Sequence, residues 1–173
     1  PPTNDLESAI DATLVPGAYT AIVRGNGNTT GVGLVEVYDL NQAVNSKLAN
    51  ISTRAFVNTG DDIVIAGFIL GDGGGDDRII VRGLGPSLSV PSPLANPTLE
   101  LRNSNGALLL ANNDWQDDPA QAAELTAAGL APTNNLESGI AITLSPGPYT
   151  ALLTGVNNGT GIGLVEVYDR GSP

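Results

Sequence analysis

The sequence predicts an all-β chain: an antiparallel β-sandwich, jelly-roll or immunoglobulin-like, with one short helix. Three observations carry that expectation. Short apolar/polar alternations of period two recur along the chain, each closed by Gly, Pro or Asn. Only a single stretch carries helix signals, where an α/β fold would need several long amphipathic ones. The opening of the chain also returns near its end: Pro2-Thr3-Asn4 through Val37-Tyr38-Asp39 reappears as Pro132-Thr133-Asn134 through Val167-Tyr168-Asp169 at an offset of 130, with about 25 of 40 positions identical.

The repeat sets the domain expectation. A unit of about 130 residues is a comfortable single-domain size, and here it divides into a head, 48–130, and a tail, 131–170. Residues 1–40 read as the tail of a preceding repeat, and 41–47 as a linker holding Lys47, the sole lysine. The chain therefore holds one head and two tails. A few isolated strands cannot bury their apolar face. With Pro1 opening in mid-motif, the expectation is either a piece of a longer tandem array or a subunit whose spare tail docks on a neighbour.

In the first tail, strands are expected at 8–14, 19–24 and 32–38. Val15-Pro16-Gly17 reads as a hairpin turn between the first two, and 25–31 as an exposed Gly/Asn/Thr loop. Ile10, Ala12 and Leu14 share a face, as do Tyr19, Ala21 and Val23, while Leu34, Glu36 and Tyr38 oppose Val35 and Val37. The second tail repeats this with Pro146-Gly147 at the turn, and Pro148 in place of Ala18 suits a strand start. The head offers strands at about 52–57, 62–70, 77–83, 98–102 and 106–111. Ile63–Leu70 and Ile79–Val81 are nearly all apolar, which predicts central strands covered on both faces. Asn105-Gly106 marks a tight hairpin, and Gly85–Pro97 a proline-rich crossover. For the helix, Asp118 caps, Pro119 takes the first position, Gln121 completes an approximate capping box, Ala120–Ala128 favours helix and Gly129 stops it. Its expected role is to cover one end of the sandwich.

Composition narrows the function. Charged residues are 14% of the chain and the net charge is −11, which argues against nucleic acid or an anionic membrane as partner. No apolar run approaches the roughly 20 residues of a spanning helix, so no membrane insertion is expected. Cys, His and Met are absent, which excludes disulfides, Ser-His-Asp and Cys-His catalysis, and thiolate or imidazole metal sites. The Gly-rich loop at 71–75 lacks the Lys-Ser/Thr ending of a phosphate loop. No catalytic residues are expected: Glu7, Glu36, Glu137 and Glu166 read as solvent-facing strand glutamates, with no aromatic platform for glycoside hydrolysis.

Oxygen-rich clusters leave one cofactor chemistry open. Asn113, Asp114, Asp117 and Asp118, beside Asn112, and Asp72, Asp76 and Asp77 on the glycine-rich loop, have the hard ligands that suit Ca2+, though neither matches the EF-hand spacing. The plainer alternative is a helix cap at Asp118 and solvated turns elsewhere. Asn28, Asn50 and Asn158 open Asn-x-Ser/Thr sequons, as glycosylation of an exposed surface or chance in an Asn/Thr-rich chain would both give.

Leu48–Arg54, Arg82–Leu88, Asn113–Gln116, Leu136–Ser138 and Gly163–Asp169 together resemble a poorly characterised tandem β-sandwich repeat of large secreted or surface proteins from environmental bacteria. The resemblance covers most of the chain and implies an extracellular, modular β-rich protein without known catalytic residues. The expected function is a structural subunit of an extracellular bacterial filament or surface fibre, assembled by strand complementation. Its partner is itself, as a homopolymer, or adjacent repeats of the same chain. Ile10, Leu14, Tyr19, Val23, Leu34 and Val37, with Ile140, Leu144, Tyr149, Leu164 and Val167, are the side chains expected to complete a head. The alternative expectation is a tandem adhesion or glycan-binding module, for which one Trp and four Tyr are a poor supply of stacking platforms.

Overall fold

Head and second tail build an antiparallel β-sandwich with one short helix. The computed structural model describes residues 2–40, 48–71 and 75–171, which divide into two units, Pro1–Tyr38 and Asp39–Pro173. The linker expected at 41–47, with Lys47, lies outside the described residues.

The head supplies β1 (Asn50–Val57), β2 (Val64–Leu70), β3 (Asp77–Leu84), β4 (Pro97–Asn103), β5 (Leu108–Asn112) and helix α1 (Pro119–Ala127). The second tail supplies β6 (Ser138–Leu144), β7 (Gly147–Gly155) and β8 (Gly161–Asp169). One sheet runs β1-β8-β3-β6 and the other β2-β7-β4-β5. Apolar alternation explains the layers. Ile79, Val81, Ile140, Val165 and Val167 from the first sheet meet Val64, Leu99, Leu101, Ala151 and Leu153 from the second, forming the central core.

The pairing corrects three expectations. Ile63–Leu70 is not a doubly covered centre: among the described residues β2 pairs only with β7 and alternates strictly, with Ile65 and Ile69 exposed. The other run does sit centrally, since β3 lies between β6 and β8 and buries Ile79, Ile80 and Val81 in succession. Second, Pro146-Gly147 does not close a hairpin. It carries the chain from β6 in one sheet to β7 in the other, so that both strands face the same central core from opposite layers. The tight hairpin at Asn105-Gly106 does form, with Gly106 at φ +75° and its N–H donating to the Asn103 carbonyl. Third, α1 covers a sheet face instead of an end of the sandwich. It lies against β6, where Leu125 packs with Ile80, Ala141 and Trp115 as a second, smaller core.

The helix begins as expected, with the Asp118 carboxylate accepting from the N–H groups of Ala120 and Gln121. Gln121 does not complete a capping box; its Oε1 accepts from the Ala141 N–H at 2.8 Å, tying the helix to β6.

In the unit Pro1–Tyr38 no strand forms among the described residues, and the regular element is the 3-10 turn Asn26–Asn28. The strands expected at 8–14, 19–24 and 32–38 are therefore absent. Their counterparts in the second tail show why: β6 pairs with β3, β7 with β2 and β4, and β8 with β1 and β3, so tail strands pair with head strands and never with one another.

Candidate functional site: the seam between head and tail

Five of the six strand pairings among the described residues join a tail strand to a head strand. Without β6, β7 and β8, the strands β1, β2 and β3 have no ladder partner, and only β4–β5 remains. The seam is thus most of the fold. Of the side chains expected to complete a head, Ile140, Leu144 and Val167 are buried in the central core, and Tyr149 packs against it, stacked on Phe68 at 5.7 Å between ring centroids. Leu164 departs from the expected set; it is half-buried on the opposite face to Val165 and Val167. Their first-tail counterparts Ile10, Leu14, Tyr19, Val23, Leu34 and Val37 are all exposed.

Two glutamates hold the seam, against the expectation that they face solvent. Glu137 is fully buried. Its Oε1 accepts from the N–H of Gly85 (3.1 Å), the N–H of Ser87 (3.0 Å) and the Ser87 hydroxyl (2.6 Å), and its Oε2 from its own tail's Asn134 N–H (3.3 Å). A carboxylate can enter the interior here because donors on the proline-rich crossover meet it. A side chain at Gly85 would run into the carbonyl of Leu94, so this close turn requires glycine. Next in the chain, the buried Ser138 hydroxyl contacts the carbonyls of Pro97 (2.8 Å) and Asn113 (2.9 Å), and the Gly139 N–H donates to Asn112 Oδ1 at 2.8 Å. Leu-Glu-Ser is therefore the polar fastening of tail to head.

The second glutamate, Glu166 on β8, faces Arg82 on β3 across a pair that is 12% and 16% exposed. Arg82 Nε donates to Glu166 Oε2 at 2.9 Å, its Nη1 to the Leu130 carbonyl and its Nη2 to the Tyr168 hydroxyl, and its guanidinium lies 5.3 Å from the Tyr168 ring centroid. Burial pushes the Tyr168 phenol above its ordinary pKa, with Arg82 opposing and the Glu166 charge adding to the rise. Arg78 forms a bidentate pair with Glu124 of α1 and donates to Thr143 of β6 at 3.0 Å.

The first tail keeps the local half of these contacts. Its Leu6 N–H donates to Asn4 Oδ1, Tyr19 to the Val15 carbonyl and Tyr38 to Glu36, as Leu136, Tyr149 and Tyr168 do at the matching positions. The Asn26–Asn28 turn matches Val156–Asn158 in the same way. A sequence signal for Glu166 existed in the repeated Val-Glu-Val phrase, where valines flank the glutamate, and Leu-Glu-Ser offered only the apolar residue before Glu137; burial was decided by partners far away in the chain.

The expected metal ligands are scattered in role. Asp118 caps α1, Asp76 accepts from the Ser145 hydroxyl at 2.7 Å, Asp77 opens β3, and Asp72 lies outside the described residues. Asp117 donates its N–H to the Asp114 carbonyl. The Oδ1 atoms of Asn113 and Asp114 are buried and find no hydrogen-bond partner among the described residues, as does the Trp115 indole N–H. No cluster of three or more acidic side chains converges among the described residues. Of the sequon asparagines, Asn28 and Asn158 sit in the two matching turns and Asn50 opens β1, its Nδ2 donating to the Val167 carbonyl.

No family model matches the chain. No curated protein matches it. Among solved structures, it is similar to the pre-peptidase C-terminal domain of a collagenase from Bacillus anthracis, at 13% identity and a TM-score of 0.43, over 68% of this chain and 88% of that one. No helix among the described residues is long and apolar enough to cross a membrane.

Proposed function

We propose that this chain is a structural building block of an extracellular filament or surface fibre, in which repeats are joined head to tail by strand complementation. One observation carries the reading: among the described residues β1, β2 and β3 of the head pair only with tail strands, and the chain holds a second copy of that strand-forming sequence in Pro2–Asp39 with its apolar side chains exposed. An exposed apolar segment carrying the same turn-forming contacts as a docked tail is suited to filling a head of the same sandwich. Each such contact links one repeat to the next, and a head-to-tail contact of this kind propagates without closing. The surface sequons at Asn28, Asn50 and Asn158 are compatible with an extracellular setting. The role is mechanical and assigns no catalytic step.

Removal of both tails, residues 1–40 and 132–171, tests it. The remaining head is expected to lose cooperative unfolding and the near-ultraviolet signal of its one tryptophan, Trp115, and to regain both when a peptide of residues 132–171 is added. A head that stays folded without either tail sinks the reading.

A further inference from the structure

The two tails are not interchangeable, and their differences fall where the head is tightest. Gly139 and Ala141 of β6 lie on the face covered by α1; the first tail has Ala9 and Asp11 at those positions. A Cβ at Gly139 would stand 2.5 Å from Leu125 Cδ1 and 3.3 Å from Trp115 Cβ. Leu125 is fully buried and packed with Ile80, Trp115 and Ala141, so any shift it makes has to be taken up by those neighbours. Ala141 is 5% exposed and packs with Ile80, Trp115 and Leu125. A carboxylate there would sit among these apolar side chains, and the cations on the same face of β3, Arg78 and Arg82, are already engaged by Glu124 and Glu166, so the charge is costly to bury.

From this mismatch we infer that the first tail is cut for a different head. Its partner is a head of the same sandwich whose helix presents a smaller side chain at the place of Leu125 and a cation or hydrogen-bond donor toward Asp11, and not the head of a second copy of this chain. The inference rests on the strand-complementation reading and adds selectivity to it. The core-facing differences point the same way, since Leu153, fully buried, is matched by Val23, and the half-buried Ile142 by Ala12. Like tails would let any repeat displace the tail of any other. Ala9 and Asp11 instead raise the cost of the wrong pairing, which keeps repeats in order.

The test uses the full chain with Gly139→Ala and Ala141→Asp together, which gives the second tail the first tail's residues. The urea midpoint is expected to fall by about 1 M or more, or the cooperative transition to vanish. Leu125→Ala, which lowers the midpoint of the otherwise unaltered chain, is expected to raise it in the Gly139→Ala single variant by opening the space that Ala9 requires. A double variant as stable as the parent overturns the inference, and so does a Leu125→Ala change that gives no rescue. The strand-complementation reading fails separately, by a folded head after removal of both tails, residues 1–40 and 132–171.

Discussion

Removing the Glu137 carboxylate with Glu137→Ala strands the donors that meet it. The Gly85 N–H is buried, and the Ser87 N–H and hydroxyl are partly so, at 3.1, 3.0 and 2.6 Å from Oε1. One buried donor left unpaired costs about 1–3 kcal/mol, and charge-assisted bonds stand at the upper end. One full penalty and two partial ones come to about 3–5 kcal/mol, a large share of the 5–15 kcal/mol that a domain has. Glu137→Gln keeps an acceptor for the crossover donors but turns an amide toward the Asn134 N–H, so the loss is about 1–2 kcal/mol. Urea unfolding followed by Trp115 fluorescence reads the effect, because the Trp115 N–H donates to the Glu137 carbonyl. For slopes of about 1–3 kcal/mol per molar urea, the alanine variant's midpoint falls by about 2 M. Glu7→Ala, the same change in the exposed tail, leaves the midpoint where it was. An alanine variant at 137 that unfolds within about 0.3 M of the parent refutes the account of Glu137 as the fastening of the seam.

Two further outcomes follow from the same geometry. Gly163→Ala places a Cβ 2.7 Å from Leu153 Cδ2 and 3.1 Å from Val57 Cγ2, an overpacking that costs about 1–3 kcal/mol by urea unfolding. Gly33→Ala, at the matching position of the first tail and 3.8 Å from Val23, leaves the midpoint unchanged; equal effects at both sites would count against the seam. Tyr168 has its pKa raised in the fold, first by burial, so the neutral phenol is the folded form. Its contribution is full below the ordinary value of 10.0 and is lost as pH rises from there through the raised folded value. Urea midpoints between pH 9 and pH 11 are expected to fall less steeply in Tyr168→Phe, and parallel curves would remove Tyr168 from the linkage.

Period-two alternation was enough to mark the head strands to within two residues. The cap at Asp118 and the stop at Gly129, which adopts φ +69°, were legible because helix ends obey local rules. The repeat itself was also plain, and with it the surplus of one tail. Alternation does not name partners, so the edge position of Ile63–Leu70 and the sheet-to-sheet crossing at Pro146-Gly147 were not readable. For the same reason Leu-Glu-Ser looked like a surface phrase until the proline-rich crossover, about 50 residues earlier, supplied donors to Glu137.

The sequence by itself determined the all-β character of the chain, the place of its helix and the existence of two copies of one strand set, since each depends on neighbours a few residues apart. Tertiary structure decided what those copies are worth. In Glu137–Asp169 the strands find ladders, a core and donors for the carboxylates of Glu137 and Glu166, and become part of a sandwich. In Pro2–Tyr38 nearly the same residues keep their turns and form no strand. A β-strand is completed by hydrogen bonds to another segment, so its formation is a property of the pair.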